Sequence, residues 1–478
     1  MQISNSASFT TLCGGEFGRK MITTHVGSIH EDNLLEVLGK ADSVHEQNQR
    51  EIEYLYQYVG GNQPSLFRTK EVRPEIKNNV VQNHALEIVR FFTSLNFGEP
   101  MQYVGDSADE DKAHVIDIIN NFMEVLCKDL HDVRIGEWQS TCGTAYREVW
   151  TTISEDGMPS FGIDVPDPRY NYIVYSSKRG NEPMMSVSHC FDEEGKDYKL
   201  CTTPTHVYTV KGKEITTVIN GYGFILLTEY PNNSRRMSEV ESVITLLDTI
   251  NTIQSNRADG IEQHVQSLIK FINCDIDENK VKEMSKVGAI KIKTVNPQTP
   301  ADVDVISNEL NQGQTQTYID DLRSNILVIL GMPSREQNTG GDTGQAVYLR
   351  NGWDFAEQRA KLHEASIKKS EREFLQKVLK ILKANSQIPT ELSILDIGIQ
   401  ITRNQTDNML VKAQALDYFM KNNIDPKTAI ATCGLWGDSD KVWLESKGYI
   451  DDARELKRLE VESKSGILDG KIQGSTMS

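Results

Sequence analysis

Apolar residues recur at spacings of three and four along most of the chain, and the exceptions divide it. From His30 to Val59 the helical pattern is carried by Leu34, Leu35, Val37 and Leu38, then Ile52, Leu55 and Tyr56. After a turn-rich link at Tyr58 to Arg68, Val80, Ala85, Ile88, Val89, Phe92 and Leu95 form a second helix face, closed by Gly98 and Pro100. Ile116, Ile119, Phe122, Met123 and Leu126 predict a third helix from Asp109 to Leu130. Between about Gly143 and Thr228 the period drops towards two. AYREVWTTI, SFGIDV, YNYIVYS, THVYTV, EITTVIN and FILLTEY are separated by Gly, Pro, Asp and Asn, which predicts an antiparallel, partly exposed sheet ending at Pro231 and Asn233. Residues 1–30, polar and rich in Gly, Ser and Thr, read as a loose arm.

Ser238 is a good N-cap with Glu241 at the capping-box position, and it opens a long helix to Ile272. Its apolar positions are Val240, Val243, Leu247, Ile250, Ile261, Val265, Leu268 and Ile272, and its middle, Gln254 to Gly260, is polar. An insert over 273–300 predicts one short helix and a strand at Ala289 to Val295. Ile319, Leu322, Ile326 and Ile329 then mark one face of a helix stopped by Gly331 and Pro333. Met332 to Thr343 offers almost no apolar side chain, and Gly340, Gly341 and Gly344 punctuate its end. Beyond it Leu349, Trp353, Ala356, Ala360, Ile367, Phe374, Val378 and Ile381 predict a helix on the order of 60 Å long, with Gly352 as its kink point. Glu391 to Thr402 alternates and predicts a strand. Helices follow at Asn408 to Met420, Pro426 to Cys433 (Asp425 N-cap, Pro426 at N1), Asp440 to Lys447 and Asp451 to Glu462, before a disordered tail over 465–478.

A chain of 478 residues has room for several domains, and its formal net charge of −17 opposes tight generic binding to a phosphate backbone. DNA could still be touched locally, or enclosed without being gripped. Seven scattered cysteines without a CxxC pair predict a reduced compartment. The first residues carry no apolar h-region, and no apolar run is long enough to cross a bilayer, so the reading is soluble and intracellular at synthesis. Catalytic signatures are missing. GGDTGQ lacks the lysine and the preceding strand of a P-loop, and the HE pairs at His45 and His363 lack a second histidine. Asp275, Asp277 and Asn279 start like a calcium loop that fails at Lys280 and Lys286. No cofactor, metal or catalytic residue is therefore assigned. In the insert Lys270, Lys280, Lys282, Lys286, Lys291 and Lys293 outnumber Asp275, Asp277, Glu278 and Glu283, which reads either as a solvated mixed surface or as a dock for an acidic partner.

Three stretches, in order, carry a resemblance: KNNVVQNHALEIVRFFTSLNFGEP from Lys77, ESVITLLDTINTIQS from Glu241 and DTGQAV from Asp342. Together they resemble the portal proteins of tailed bacteriophages, of the type found in long-tailed phages of Gram-positive hosts. Thr343 stands where that family usually has Ser, and Tyr348-Leu349-Arg350 where a Lys often follows.

The resemblance implies an α+β, mainly helical portal fold. Residues 1–237 would be a wing containing an antiparallel β-sheet. Residues 238–272 and 301–331 would be two long stem helices, flanking a small α/β clip at 273–300. A tunnel loop at 332–345, a long kinked helix with a returning wing strand at 346–403, and a helical C-terminal crown and tail at 404–478 would follow. It further implies a homo-oligomeric ring, a dodecamer, at the portal vertex of the virion capsid, assembled in the host cytoplasm. Double-stranded DNA would pass through it, packaged by the terminase large subunit and later ejected. Major capsid, scaffolding and head-completion or adaptor proteins would bind it. The DNA-facing tunnel residues would be Arg335, Glu336, Gln337, Asn338, Thr339, Gly340, Gly341, Asp342, Thr343 and Gly344. Lys280, Lys282, Lys286, Lys291 and Lys293 would form the clip docking surface, and Gln312, Gln314, Gln316 and Asp320 would line the stem channel. Two rivals stand beside this reading: another phage structural or scaffolding protein, and a metal-dependent nucleic-acid enzyme, which would need clustered carboxylates.

Overall fold

The period-two stretch folds as two sheets rather than the one expected. In this computed structural model the described residues are 8–71, 74–105, 110–153, 157–265, 268–272, 302–306, 312–334, 352–403, 409–422, 424–436, 439 and 442–452. They divide into two units, one made of 16–56, 87–241 and 331–478, the other of 1–15, 57–86 and 242–330.

In the first unit, strands β5 (Asn171–Ser176), β6 (Pro183–Phe191), β7 (Asp197–Thr202), β8 (His206–Lys211) and β9 (Glu214–Ile219) form an antiparallel meander. Strand β1 (Thr23–Thr24) adds to it in parallel, with Thr23 opposite Tyr175. Strands β3 (Thr144–Thr151), β4 (Phe161–Asp164) and β10 (Leu227–Pro231) make a separate sheet in the order β10-β3-β4. Alternation puts Tyr172, Val174, Met185, Val187, Cys201, Tyr208 and Val210 on one face of the larger sheet. There they form a core with Leu34, Val37, Leu38 and Ala41 of helix α2 (Glu31–Val59). The two-residue β1 is too short to give a periodic signal, and only its nonlocal pairing reveals it.

The loose arm expected over 1–30 is a correction on the same ground. Arg19 is buried, and its guanidinium meets Glu51 at 3.0 Å and Glu241 at 2.5 Å. The helix expected to run to Leu130 ends as α4 (Glu110–Val125). Cys127, at φ 51°, turns the chain into α5 (Lys128–Cys142), which the apolar pattern hides because Lys128, Asp132 and Gln139 are among its buried residues. Gly143 then adopts φ 88°, where a Cβ would lie 2.0 Å from the Arg236 carbonyl oxygen, so only glycine fits this crossing.

The long helix is here α8 (Trp353–Ala384), 32 residues or roughly 48 Å. It buries Ala356, Ala360, Ile367, Phe374, Val378 and Ile381 as predicted. Gly352 is its N-cap at φ 81°, a left-handed conformation that an α-helix interior does not accommodate, so it opens the helix instead of kinking it. The strand expected over 391–402 shrinks to β13 (Gly398–Gln400), paired with β2 (Gln102–Val104), after a 3₁₀ turn at Ile394–Asp396. Helices α9 (Met409–Lys421) and α10 (Pro426–Cys433) pack on each other, and the Asp425 carboxylate caps α10 by accepting the Thr428 N–H at 2.9 Å. Residues 442–452 are helical throughout, joining what the sequence split at Lys447.

The second unit holds helix α6 (Ile244–Val265) packed on α7 (Gln312–Leu330). Helix α3 (His84–Phe97) crosses the boundary of the two units. The stem helix expected to reach Ile272 ends at Val265. Leu268–Ile272 is instead strand β11, antiparallel to β12 (Asp302–Ile306), with Phe271 opposite Val303. Likewise the second stem helix begins at Gln312 rather than at Ala301. DVDVI alternates strictly, and pairing with a partner 30 residues or more away overrides the helical spacing of Leu268 and Ile272. The insert at 273–300 lies outside the described residues.

Candidate functional site

Helix α7 is the element to which the resemblance gave a channel wall, and it has two unlike faces. Ile319, Leu322, Ile326 and Leu330 are buried, while Ile329, expected on that face, is 53% exposed. Gln314, Gln316 and Asp320 are all exposed, and Gln312 is the first residue of the helix. The Gln316 amide donates to the Asp320 carboxylate at 2.8 Å and accepts from Arg257 of α6 at 2.8 Å. Arg323, seven residues on from Gln316, is exposed as well, so this side of the helix offers water amides, carboxylates and the guanidinium groups of Arg257 and Arg323 in a mixed surface and not a run of one sign.

Polar residues along the middle of α6 face protein and not water. Asn251, Ser255 and Asp259 stand one turn apart on one face, and all three are buried. They hold the extended segment before α3. The Asn251 side-chain amide oxygen accepts from the Gln82 N–H at 2.8 Å, the Ser255 hydroxyl from the Val80 N–H at 3.0 Å and the Asp259 carboxylate from the Asn78 N–H at 2.6 Å. Arg68 and Lys70 also reach Asp259, at 2.5 and 3.3 Å; burial would raise its pKa, and the hydrogen bonds that the carboxylate accepts from the Asn78 N–H, Arg68 and Lys70 keep it low. Nearer the helix start, burial pushes the Asp248 carboxyl up to about 6 although Tyr58 donates to it at 2.9 Å.

In the other unit a closed set of charges anchors the long helix. Glu371 of α8 is fully buried and receives Lys128 at 3.0 Å, Arg147 at 3.0 Å and the Tyr230 hydroxyl at 2.7 Å, with Tyr103 donating at 2.5 Å. Asp132 pairs with both Arg147 and Lys128, so two cations balance two carboxylates. The Arg147 guanidinium also lies over the rings of Phe374 and Tyr230, 4.7 and 5.0 Å from their centres. Burial alone would raise the Glu371 pKa. Lys128 and Arg147 outweigh it and hold the carboxyl down at about 2. The sequence held a trace of this network: the stripe of α8 skips from Ile367 to Phe374, and Ser370 and Glu371 fill the gap.

The two histidines singled out by motif stand apart from this network. His45 is buried, its Nε2 3.0 Å from the Arg169 carbonyl oxygen, and burial depresses its pKa to about 4; His363 is lowered to about 4 by the same cause. Among the described residues no group of three or more His, Cys, Asp or Glu could hold a metal ion. The tunnel residues Arg335 to Gly344 and the clip lysines Lys280, Lys282, Lys286, Lys291 and Lys293 lie outside the described residues.

Residues 39–466 match the family described as phage portal protein, SPP1 Gp6-like. The chain belongs to that family. It is therefore a structural component and not an enzyme, and its α+β architecture, mainly helical with antiparallel sheets, is a portal-like fold. Among curated proteins none matches the portal-family chain. Among solved structures it is similar to a chain in the virion of a native gene transfer agent particle, with TM-score 0.41 and 10% identity. It is also similar to chains in the neck of the empty particle computed with C6 symmetry (0.44, 9%) and of the native particle computed with C12 symmetry (0.41, 11%). Each alignment covers 74% of this chain and 90% of the other.

Proposed function

We propose that the protein is the subunit of a homo-oligomeric portal ring, a dodecamer at one vertex of a virion, through which double-stranded DNA is packaged and later ejected. The family match over residues 39–466 carries this reading. A conduit must keep DNA central and let it slide, and the affinity gained by releasing condensed counterions at every Lys or Arg contact would make a basic wall grip the DNA and act as a brake. A chain of net charge −17 whose α7 exposes Gln314, Gln316 and Asp320 suits that demand. In this reading residues 1–237 are wing, α6 and α7 are stem, 273–300 is the clip and 332–345 the DNA-facing loop. The lysines of the clip receive the terminase large subunit first and a head-completion protein later. Capsid and scaffolding proteins surround the wing, after assembly in the host cytoplasm.

Negative-stain images of the purified protein, with its mass from light scattering, test the ring. Annular particles with a central hole are expected, and a monomer at every protein and salt concentration would overturn the reading. Replacing Lys280, Lys282 and Lys286 with Glu is expected to leave rings intact and to weaken terminase binding. Unchanged binding would remove the clip assignment alone.

A further inference from the structure

The larger sheet ends in a strand whose outer backbone edge pairs with no other strand among the described residues. Strand β9 carries the sequence EITTVI, and all of it except Ile215 is exposed, with Val218 at 61% and Ile219 at 79%. Its hairpin with β8 runs from Lys211 opposite Glu214 to His206 opposite Ile219 without a bulge. The Asn220 N–H donates to the Thr205 carbonyl at 2.8 Å, which sets the alternation. Glu214, Thr216 and Val218 exchange hydrogen bonds with β8, and the N–H and C=O groups of Ile215, Thr217 and Ile219 point away from it.

Natural sheets blunt such an edge with a lysine, a proline, a bulge or a covering element. Residues 215–219 themselves have no charge, no proline and no register shift; charge stands only beside them, at Glu214, which opens the strand after the Gly212 turn (φ 62°), and at Glu31 of α2, whose carboxylate accepts from the Thr217 hydroxyl at 2.7 Å. The identity of a covering partner follows from charge. Two copies carrying −17 each repel at long range, so contact between them is made where the surface is neutral, whereas a partner of opposite sign would be drawn to the acidic surface. We infer that the β9 edge, through the outward groups of Ile215, Thr217 and Ile219, takes an extended segment of a second copy of this chain and so extends the sheet from subunit to subunit.

This rests on the ring reading, and the test separates the two. Hydrogen exchange resolved to single residues is measured on the assembled wild-type protein. The amides of Ile215, Thr217 and Ile219 are expected to exchange at least about tenfold more slowly than unprotected amides, as those of Thr216 and Val218 do through β8. Rings in which only 216 and 218 are protected would overturn the edge contact and leave the ring standing. Absence of rings in the wild type would overturn both. Two variants add a second measurement: Ile219→Pro removes one outward N–H, and Val218→Lys places a charge on the edge. Both are expected to keep the wild-type circular dichroism and lose at least about tenfold in assembly affinity, about 1.4 kcal/mol. Wild-type assembly in both folded variants would overturn the inference.

Discussion

Glu371 shows how much a single buried charge can carry when its partners are complete. Replacing it with Gln keeps the shape but leaves Arg147 and Lys128 facing Asp132 alone, and an uncompensated buried charge costs on the order of 3–5 kcal/mol. Glu371→Gln is therefore expected to lower the denaturant midpoint, measured by urea titration, without changing its slope. The sign with pH follows from its depressed pKa. The stabilisation from Glu371 is present above the unfolded carboxyl range near 4.5 and is lost as pH falls towards about 2. His45 acts at higher pH. Its neutral form is the buried one, so between its ordinary 6.5 and about 4 the unfolded chain binds the extra proton, and stability falls as pH falls through that window by up to about 3 kcal/mol. His363 adds in the same direction. Melting temperatures at pH 7, 5.5 and 4 are expected to drop in the wild type and to drop less in a folded His45→Gln, His363→Gln variant. Neither histidine could be assigned from its motif, because HEQNQ and HEASI are silent about burial.

At the scale of elements, the hydrophobic pattern located helices well and misread what their polar positions are for. Gln254 to Gly260 read only as a polar middle, yet Ser255 and Asp259 within it, with Asn251 one turn before, are a buried ladder that fastens residues 78–82 to α6. Asn251→Ala leaves the Gln82 N–H and the Gln63 side chain without their partner, at a cost of about 1–3 kcal/mol. The expected outcome is faster hydrogen exchange over 63–82, with the sheet of the other unit unchanged. The α5–β3 junction makes a sharper case. Gly143→Ala would force a left-handed φ on alanine and a contact at 2.0 Å with the Arg236 carbonyl, and a loss of more than about 2 kcal/mol in thermal unfolding is expected.

For the whole molecule the governing quantity is net charge. Copies of −17 that assemble through neutral surface must first overcome their mutual repulsion, which salt screens as the Debye length shrinks from about 30 Å at 0.01 M to about 8 Å at 0.15 M. Assembly is therefore expected to strengthen over that range of salt, read as mass by light scattering at fixed protein concentration. Dissociation with rising salt would show instead that ion pairs between copies hold them together. By itself the sequence determined what depends on local spacing and composition: the α2, α3, α7 and α8 helices, the strands β3, β4, β5, β8, β9 and β10, the Asp425–Pro426 helix start and the net acidity. The three ordered stretches pointed to the family that the match over residues 39–466 shows. Tertiary structure alone decided that Leu268–Ile272 is a strand, that two residues at Thr23 join a six-stranded sheet, that Arg19 lies buried, and that Lys128, Asp132, Arg147 and Glu371 meet. The physical reason is common to all four. A nonlocal partner supplies the free energy, and a window of sequence contains only one side of such a contact.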